Sequence, residues 1–442
     1  MPAFPADSAI YRRLFGDDEL AALFSDSAEV RAMMLVEGTL AKVQGEIGLI
    51  PADAAAFLHR ASFELQIDPA GLAAETAVNG VPVPGLIAAF RKAAQAPDQT
   101  AWLHWGATSQ DIMDTALALR LKRVVAIYDA RLDHVLAGLA GLAAQHADLP
   151  MAARTYGQAA TPTSFGAVVA SWGRPVLRAR QRLVGVAEGV TQVSLSGAAG
   201  TLSAMGERGP EVRVALALAL GLTDPGSSWH AERDGIAALA GWMAGLCTQL
   251  GRIGEDLILL AQTGIGEVEI AGTGGSSTMP QKQNPVGPSV LVAIARQVVA
   301  LAGVVQGAGL HRQQRDGAAW YAEWLGLPQL VILTGRALVL AGDLAGRITP
   351  DPAAMARGLA AGNGAIFAEA LSFALARRMP RPEAMPRVKA LCDEAAASGR
   401  DLRDLAARDF PGVDWAAALA ADMLGQAPAE ARAFATAVRS GE

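Results

Sequence analysis

Long stretches of this 442-residue chain repeat apolar residues at the spacing of an α-helix. From about Glu232 to Gln262, large apolar side chains recur every three or four residues. This spacing predicts a helix of about 30 residues, which spans about 45 Å. Proline-free segments of similar character run from Asp111 to Leu149 and from Ser289 to Leu327. Because alternating β-branched residues are scarce, we predict an all-α fold.

Some of the predicted helices have no wide polar face. The segment from Ser289 to Val305 is apolar almost all round, and a helix of this kind must be covered on every side. Several long helices are covered more easily when subunits pack their bundles together. We therefore expect an obligate homo-oligomer with the central bundle as its interface.

Loop chemistry divides the chain into three predicted parts. The polar turn before the first long helix offers Thr108 or Ser109 as an N-cap, and the bundle should end near Arg347, where two prolines follow. We predict an N-terminal helical domain at residues 1–110, a central long-helix bundle at 111–345 and a C-terminal helical domain at 346–442.

Composition excludes several classes of function. A net charge of -6 gives no reason to expect nucleic acid as a partner. No secretory signal is visible, and charges such as Arg296 and Asp343 interrupt the apolar runs, so we expect a cytoplasmic protein without a membrane span. Histidine spacing predicts no metal site, and the absence of a phosphate-binding glycine loop predicts no nucleotide cofactor. Cys247 and Cys392 are expected to be buried, reduced thiols.

Four polar, glycine-containing islands interrupt the apolar pattern, and each has a structural alternative. The island at 104–115 opens a helix, where NH groups and hydroxyls bind carboxylates, although a simple N-cap box has the same composition. The island at 154–163 is by itself only a polar loop, for which a structural role is favoured. Two arginines at 311–317 suit carboxylate recognition or a solvated helix end.

The island from Gly274 to Pro285 has the most distinctive chemistry. Its glycines free the backbone and its prolines exclude a helix, so a polar loop is predicted. Ser276 becomes reactive only if its oxyanion is stabilised, which neighbouring NH groups and the charge of Lys282 could provide. A flexible connection is the structural alternative, but the residues that follow the serines make it a poor one.

Together these islands resemble the fumarase/aspartase superfamily, and the resemblance covers nearly the whole chain. It implies long helices shared in a homotetramer, active sites built from three subunits, no cofactor and a small-molecule polycarboxylate substrate. It also implies that Ser276 handles the Cα proton, while Lys282 stabilises the developing charge. The substrate-binding residues that it implies are His104, Thr108, Ser109, Arg154, Thr155, Gln158, Ser277, Met279, Asn284 and Arg315.

Tyr156 distinguishes among the branches of this superfamily. Adenylosuccinate lyases resemble Arg-Thr-His-Gly-Gln here, with the histidine as general acid for the departing amine, but this chain has Tyr156 instead. A carboxylate group needs no such acid, because its pKa is about 4. The chain therefore resembles the cycloisomerase branch that lactonises 3-carboxy-cis,cis-muconate in aromatic catabolism, with Tyr156 as a candidate catalytic residue. The alternatives are a C–N lyase with another acid, a 3-sulfomuconate cycloisomerase and a non-catalytic relative.

Overall fold

The computed structural model describes residues 4–272, 274–275, 278–420 and 423–441, and most of them are helical, as predicted. The N-terminal helices are short apart from α3: α1 Arg12–Phe15, α2 Asp18–Leu23, α3 Asp26–Ile47, α4 Ala52–Glu64, α5 Ala73–Asn79, α6 Val83–Ala94 and α7 Pro97–Thr100. Longer helices follow: α8 Ser109–Gln145, α9 Phe165–Glu188, α10 Gly209–Leu220, α11 Asp234–Leu260, α12 Val286–Gly307 and α13 Gly317–Ala345. The C-terminal helices are α14 Pro352–Ala360, α15 Ala368–Ala376, α16 Arg381–Ser398, α17 Leu402–Asp409, α18 Trp415–Ala420 and α19 Ala427–Ser440.

The long helices follow the apolar pattern with one difference. Helix α8 has 37 residues and α11 has 27, and both lie where the spacing predicts them. The segment from Ser289 to Leu327, in contrast, belongs to two helices, because the polar stretch between Gly307 and Gly317 separates α12 from α13. Helix α13 then continues through Pro328, so proline was a poor marker of the helix end here.

Short antiparallel strand pairs, which the sequence analysis missed, lie between the helices. The strands are β1 Pro150–Thr155, β2 Gln158–Ser164, β3 Val268–Ile270, β4 Gly274–Gly275, β5 Gln283–Asn284 and β6 Ile348–Pro350. They pair as β1 with β2, β3 with β6 and β4 with β5. The island at 154–163 is therefore a hairpin and not a loop. Tyr156 and Gly157 have φ angles of 52° and 74°, the left-handed conformation that a two-residue hairpin turn requires.

The described chain forms two compact units, and the unit boundaries fall inside the long helices. Unit 1 comprises Met1–Arg131, Ala179–Thr248 and Ala293–Leu338; unit 2 comprises Leu132–Arg178, Gln249–Val292 and Val339–Glu442. Fully buried residues at the core of unit 1 include Val36, Leu58, Ile112, Val193 and Leu216. Those of unit 2 include Leu371, Leu375, Leu402, Leu405 and Ala406. The three-domain division stays a prediction.

Two helices are long and apolar enough, by length and composition alone, to cross a membrane. They are α12 and α13, with mean hydropathies of 1.9 and 1.5 over their most apolar windows. The charges that interrupt these apolar runs were expected to exclude a membrane span, but by length and composition they do not. Within this single chain 44% of the α12 window is buried.

Candidate active site

The N-terminus of α8 begins with a capping arrangement in unit 1. Helix α8 starts at Ser109, which makes Thr108 the preceding cap residue. The backbone NH of Thr108 donates to Asp111 Oδ2 at 3.0 Å, the reciprocal bond of a capping box. Thr108 and Ser109 are both half-buried. Their hydroxyls thus lie at the positive end of a 37-residue helix, where a carboxylate is stabilised.

Asp111 joins this helix start to two other parts of unit 1. Its carboxylate is fully buried, and Oδ1 accepts hydrogen bonds from the NH of Ser196 at 2.8 Å and from His230 Nε2 at 2.7 Å. Oδ2 accepts from the NH of Gly197 at 2.9 Å in addition to Thr108. With Ser194 Oγ at 3.5 Å from Oδ1, five donors on one carboxylate fix the position of the 104–109 segment relative to the Ser196 loop.

His104 and Glu37 form a buried pair beside this segment. His104 Nδ1 lies 2.6 Å from Glu37 Oε1, and Glu37 is 2% exposed. Burial lowers the pKa of His104, but the charge of Glu37 and its hydrogen bond outweigh burial, so this pKa lies above its usual value. Among the described residues Glu37 Oε2 and Ser196 Oγ are buried without a hydrogen-bond partner. Each of these atoms could accept a hydrogen bond from a water or a ligand.

A buried ionic cluster lies one turn further along α8. Arg233 donates to both carboxylate oxygens of Asp114, at 2.8 and 3.2 Å, and to both oxygens of Glu323, at 2.9 and 2.6 Å. All three side chains are 1% exposed. Burial raises the pKa of Glu323 and Arg233 partly offsets that rise. Nearby, the exposed Arg315 donates through Nε to Gln110 Oε1 at 2.7 Å.

The β1–β2 hairpin places a second group of predicted residues in unit 2. Thr155 pairs with Gln158, and Tyr156 at the turn is fully exposed. Arg154 donates from both Nη atoms to Glu267, at 2.7 and 2.8 Å, and this carboxylate is 1% exposed. The bidentate pair favours a role for Arg154 in anchoring the hairpin, since a substrate carboxylate would compete with Glu267 for the same donors.

The described residues of the island from Gly274 to Pro285 include a short strand pair in unit 2. Strands β4 and β5 pair Gly274 with Asn284, and the NH of Lys282 donates to Met279 O at 3.0 Å. Lys282 and Met279 are exposed, and Asn284 is half-buried. The predicted catalytic Ser276 and the predicted binding residue Ser277 lie outside the described residues.

The structure thus brings together His104, Thr108, Ser109 and Arg315 in unit 1. Arg154, Thr155, Tyr156, Gln158, Met279, Lys282 and Asn284 all belong to unit 2. The sequence analysis assigned no role to the side chains that hold the first group: Glu37, Gln110, Asp111, Asp114, Arg233 and Glu323. One signal could have found the four of them that lie in α8 and α13, because acidic and amide side chains within an otherwise apolar long helix must be buried and paired.

Comparisons with known proteins agree on one family. The sequence model of the lyase family matches residues 17–300. The 3-carboxy-cis,cis-muconate cycloisomerase of Pseudomonas aeruginosa is 38% identical over 389 residues, which cover 87% of this chain and 85% of that protein. The enzyme of the same name from Bradyrhizobium diazoefficiens is 37% identical, with 88% of each chain covered.

A solved structure agrees as well. The 3-carboxy-cis,cis-muconate lactonizing enzyme from Pseudomonas putida superposes with a TM-score of 0.91 at 32% identity, covering 98% of this chain and 100% of that one. The fold and the family predicted from the polar islands are therefore confirmed. This chain belongs to the lyase family of the fumarase/aspartase superfamily, and its relatives there include bacterial 3-carboxy-cis,cis-muconate cycloisomerases.

Proposed function

We propose that this chain is a cycloisomerase that closes 3-carboxy-cis,cis-muconate to a carboxymuconolactone. The observation that carries the proposal is the similarity to cycloisomerases of that name over nearly the whole of both chains. The residues Gly274–Pro285 and His104–Asp111 support it further, because they retain the groups that stabilise a carboxylate-derived carbanion. The reaction needs no cofactor.

Two substrate carboxylates have natural positions in unit 1. Thr108 and Ser109 offer hydroxyls at the N-terminus of α8, where the helix dipole favours an anion. Arg315 offers the guanidinium NH groups that its bonds to Gln110 and to Ala198 O leave free. His104, which is hydrogen-bonded to Glu37, precedes these hydroxyls on the same segment.

Charge develops on a third carboxylate during ring closure. One substrate carboxylate oxygen attacks the carbon β to another carboxylate, and the alkene electrons move onto that carboxylate as an aci form. Lys282 and Asn284 stabilise this charge, and each such preorganised donor contributes about 3 kcal/mol. Ser276 then gives a proton to Cα and is reprotonated from solvent. The trianionic substrate thereby takes up one proton and becomes a dianionic lactone.

Tyr156 suits this reaction better than an amine elimination. A carboxylate nucleophile is already ionised at neutral pH, so no general acid or base is needed to activate it. The exposed Tyr156, with Thr155 and Gln158 beside it, then serves to shape the pocket and bind substrate. We expect Tyr156→Phe to change KM more than kcat, whereas a tyrosine that transfers a proton would lose kcat.

The proposal is tested with three candidate substrates. Purified protein is incubated with 3-carboxy-cis,cis-muconate, 3-sulfomuconate or adenylosuccinate, and lactone formation or AMP release is followed by absorbance. Turnover of the carboxymuconate with the largest kcat/KM is expected, and Ser276→Ala should reduce it by about 100-fold or more with folding intact. Preferred turnover of either other compound, or of none, would overturn the assignment.

We further propose that the active protein is a homotetramer with each active site built from three subunits. Exposed apolar side chains on α12 support an interface there, since Val299 and Val304 are 49% and 47% exposed. Light scattering measures the oligomer. Co-expression of two strongly impaired variants, Arg315→Ala and Lys282→Ala, should restore part of the activity if one site takes these residues from different subunits. Absence of any recovery in mixed tetramers contradicts the shared site.

A further inference from the structure

Gln110 is a buried amide whose hydrogen bonds reach separate parts of unit 1. It is 1% exposed, and its Oε1 accepts from Arg315 Nε at 2.7 Å. Its Nε2 donates to Asp114 Oδ2 at 3.1 Å and to the carbonyl oxygen of His230 at 2.9 Å. Both ends of the amide are therefore occupied, and only the oxygen end faces a residue of the proposed substrate site.

The surroundings determine which way this amide points. A flipped amide would place Oε1 against the carboxylate of Asp114 and the carbonyl of His230, two acceptors that repel it. Asp114 cannot turn away, because Arg233 holds both of its oxygens in a buried bidentate pair. The ionic cluster thus fixes the amide of Gln110 with its carbonyl oxygen toward Arg315.

This contact limits the freedom of an otherwise exposed arginine. An arginine side chain loses about 2 kcal/mol of rotamer entropy when it is fixed. In Arg315 the Nε is held by Gln110, and Nη2 lies 3.3 Å from Ala198 O. Part of the ordering is therefore complete before a ligand arrives, which is the condition for tight and well-oriented binding.

A neutral partner also preserves the charge of Arg315. The neighbouring Arg312 shows the contrast, since it donates to the carboxylate of Asp316, and that contact holds the pKa of Asp316 well below its usual range. An arginine paired in this way offers little net charge to a substrate. The amide of Gln110 orients the guanidinium of Arg315 without neutralising it.

We propose that Gln110 is a positioning residue that holds Arg315 ready for a substrate carboxylate. The inference rests on the proposed cycloisomerase function and goes beyond it, because it assigns the orientation of the arginine to a residue that does not touch substrate. The effect passes through Arg315 alone, so it must disappear when Arg315 is removed.

A double-mutant cycle in kcat/KM tests this dependence. Gln110→Met, which has similar volume but no hydrogen bond, should lower kcat/KM by about 10- to 100-fold, mainly through KM, because a charge-assisted bond is lost. In an Arg315→Met background the same change should cost less than about 3-fold. Gln110→Glu should also lose activity, because a carboxylate would neutralise Arg315 and repel Asp114.

The controls separate positioning from folding. Gln329→Met removes an amide that bonds to Leu325 O on its own helix, and its kcat/KM should stay within about 2-fold of the unmodified protein. Gln110→Leu takes the place of the methionine variant if that variant does not fold. An equal loss from Gln110→Met in both backgrounds overturns the inference, while failure of the unmodified protein to turn over carboxymuconate overturns the proposed function instead.

Discussion

Replacement of Asp111 by Asn should destabilise unit 1 around the start of α8. The side chain keeps its size but loses its charge and one of its two acceptor oxygens. In the structure Oδ1 accepts from Ser196 NH and His230 Nε2, and Oδ2 accepts from the NH groups of Thr108 and Gly197. An asparagine can satisfy only part of this set.

The expected loss of unfolding free energy follows from which hydrogen bonds the asparagine side chain could keep. Its oxygen would stay with Thr108 and Gly197, and its NH2 would face His230, which can accept if its tautomer changes. Ser196 NH is then left buried and unpaired, at a cost of about 1–3 kcal/mol. The other two NH groups lose charge assistance, about 1 kcal/mol each. The sum is about 3–5 kcal/mol, a large share of a usual folding free energy.

Amide hydrogen exchange measures this loss where it should occur. Protection of the Ser196 and Gly197 amides is expected to fall by about 100-fold or more, since about 1.4 kcal/mol corresponds to a factor of ten. Urea unfolding at a fixed protomer concentration should show a matching decrease in stability, because assembly also contributes. Asp393→Asn, which removes only the exposed partner of Lys389, is the matched control and should cost under about 1 kcal/mol.

An Asp111→Asn protein with an unfolding free energy within about 1 kcal/mol of the original and a Ser196 amide that stays protected would contradict this prediction. That outcome would mean that the four short contacts do not determine the position of the 104–109 segment. A similar loss in Asp393→Asn would instead point to a general effect of charge.

Three further predictions concern the other ion pairs. Glu37 raises the folded pKa of His104, so their pair stabilises the protein fully below about pH 6.5 and loses this contribution as pH rises through the folded pKa. The difference in unfolding free energy between the original protein and Glu37→Gln should therefore shrink between pH 6 and pH 9. A difference that stays constant over this range contradicts the pairing. Arg233→Met leaves the buried carboxylates of Asp114 and Glu323 uncompensated and should lower the unfolding free energy by about 3–5 kcal/mol at pH 7, measured with urea. The loss should be smaller at low pH, where the carboxyl groups are protonated. A loss of under about 1 kcal/mol at pH 7 argues against the buried cluster. Arg154→Lys cannot form the bidentate pair with Glu267, so exchange in the 150–164 hairpin should increase by about 10-fold, and unchanged exchange shows that the pair does not anchor it.

The fold was predictable where one physical signal dominated. Helical spacing of apolar residues located α8 and α11, because a long helix must bury one continuous stripe. The β1–β2 hairpin and the β4–β5 pair were not found, since short polar segments carry few apolar positions to read. Their conformations depend on contacts such as the Arg154–Glu267 pair, between residues that lie far apart in sequence.

The candidate site was predictable as a set of residue types and not as a set of contacts. The pattern around Ser276, Lys282 and Asn284 identified the family, because the chemistry of a carboxylate-stabilised carbanion requires a proton carrier and charge-stabilising donors. The sequence pattern also predicted that Arg154 binds substrate, but in the structure both of its Nη atoms donate to the buried Glu267. Sequence spacing does not reveal which partner an arginine will find.

The sequence by itself determined the all-α class, the superfamily and the residue types available for catalysis, because helix periodicity and loop composition are local properties. Only the tertiary structure decided how those residues are held. Asp111 holds Ser196 and His230, and Gln110 holds Arg315 and the carbonyl of His230, through hydrogen bonds between residues more than 80 positions apart. Such pairings depend on how the whole chain packs. A buried polar group needs a hydrogen-bond partner, and sequence spacing does not show which residue provides it.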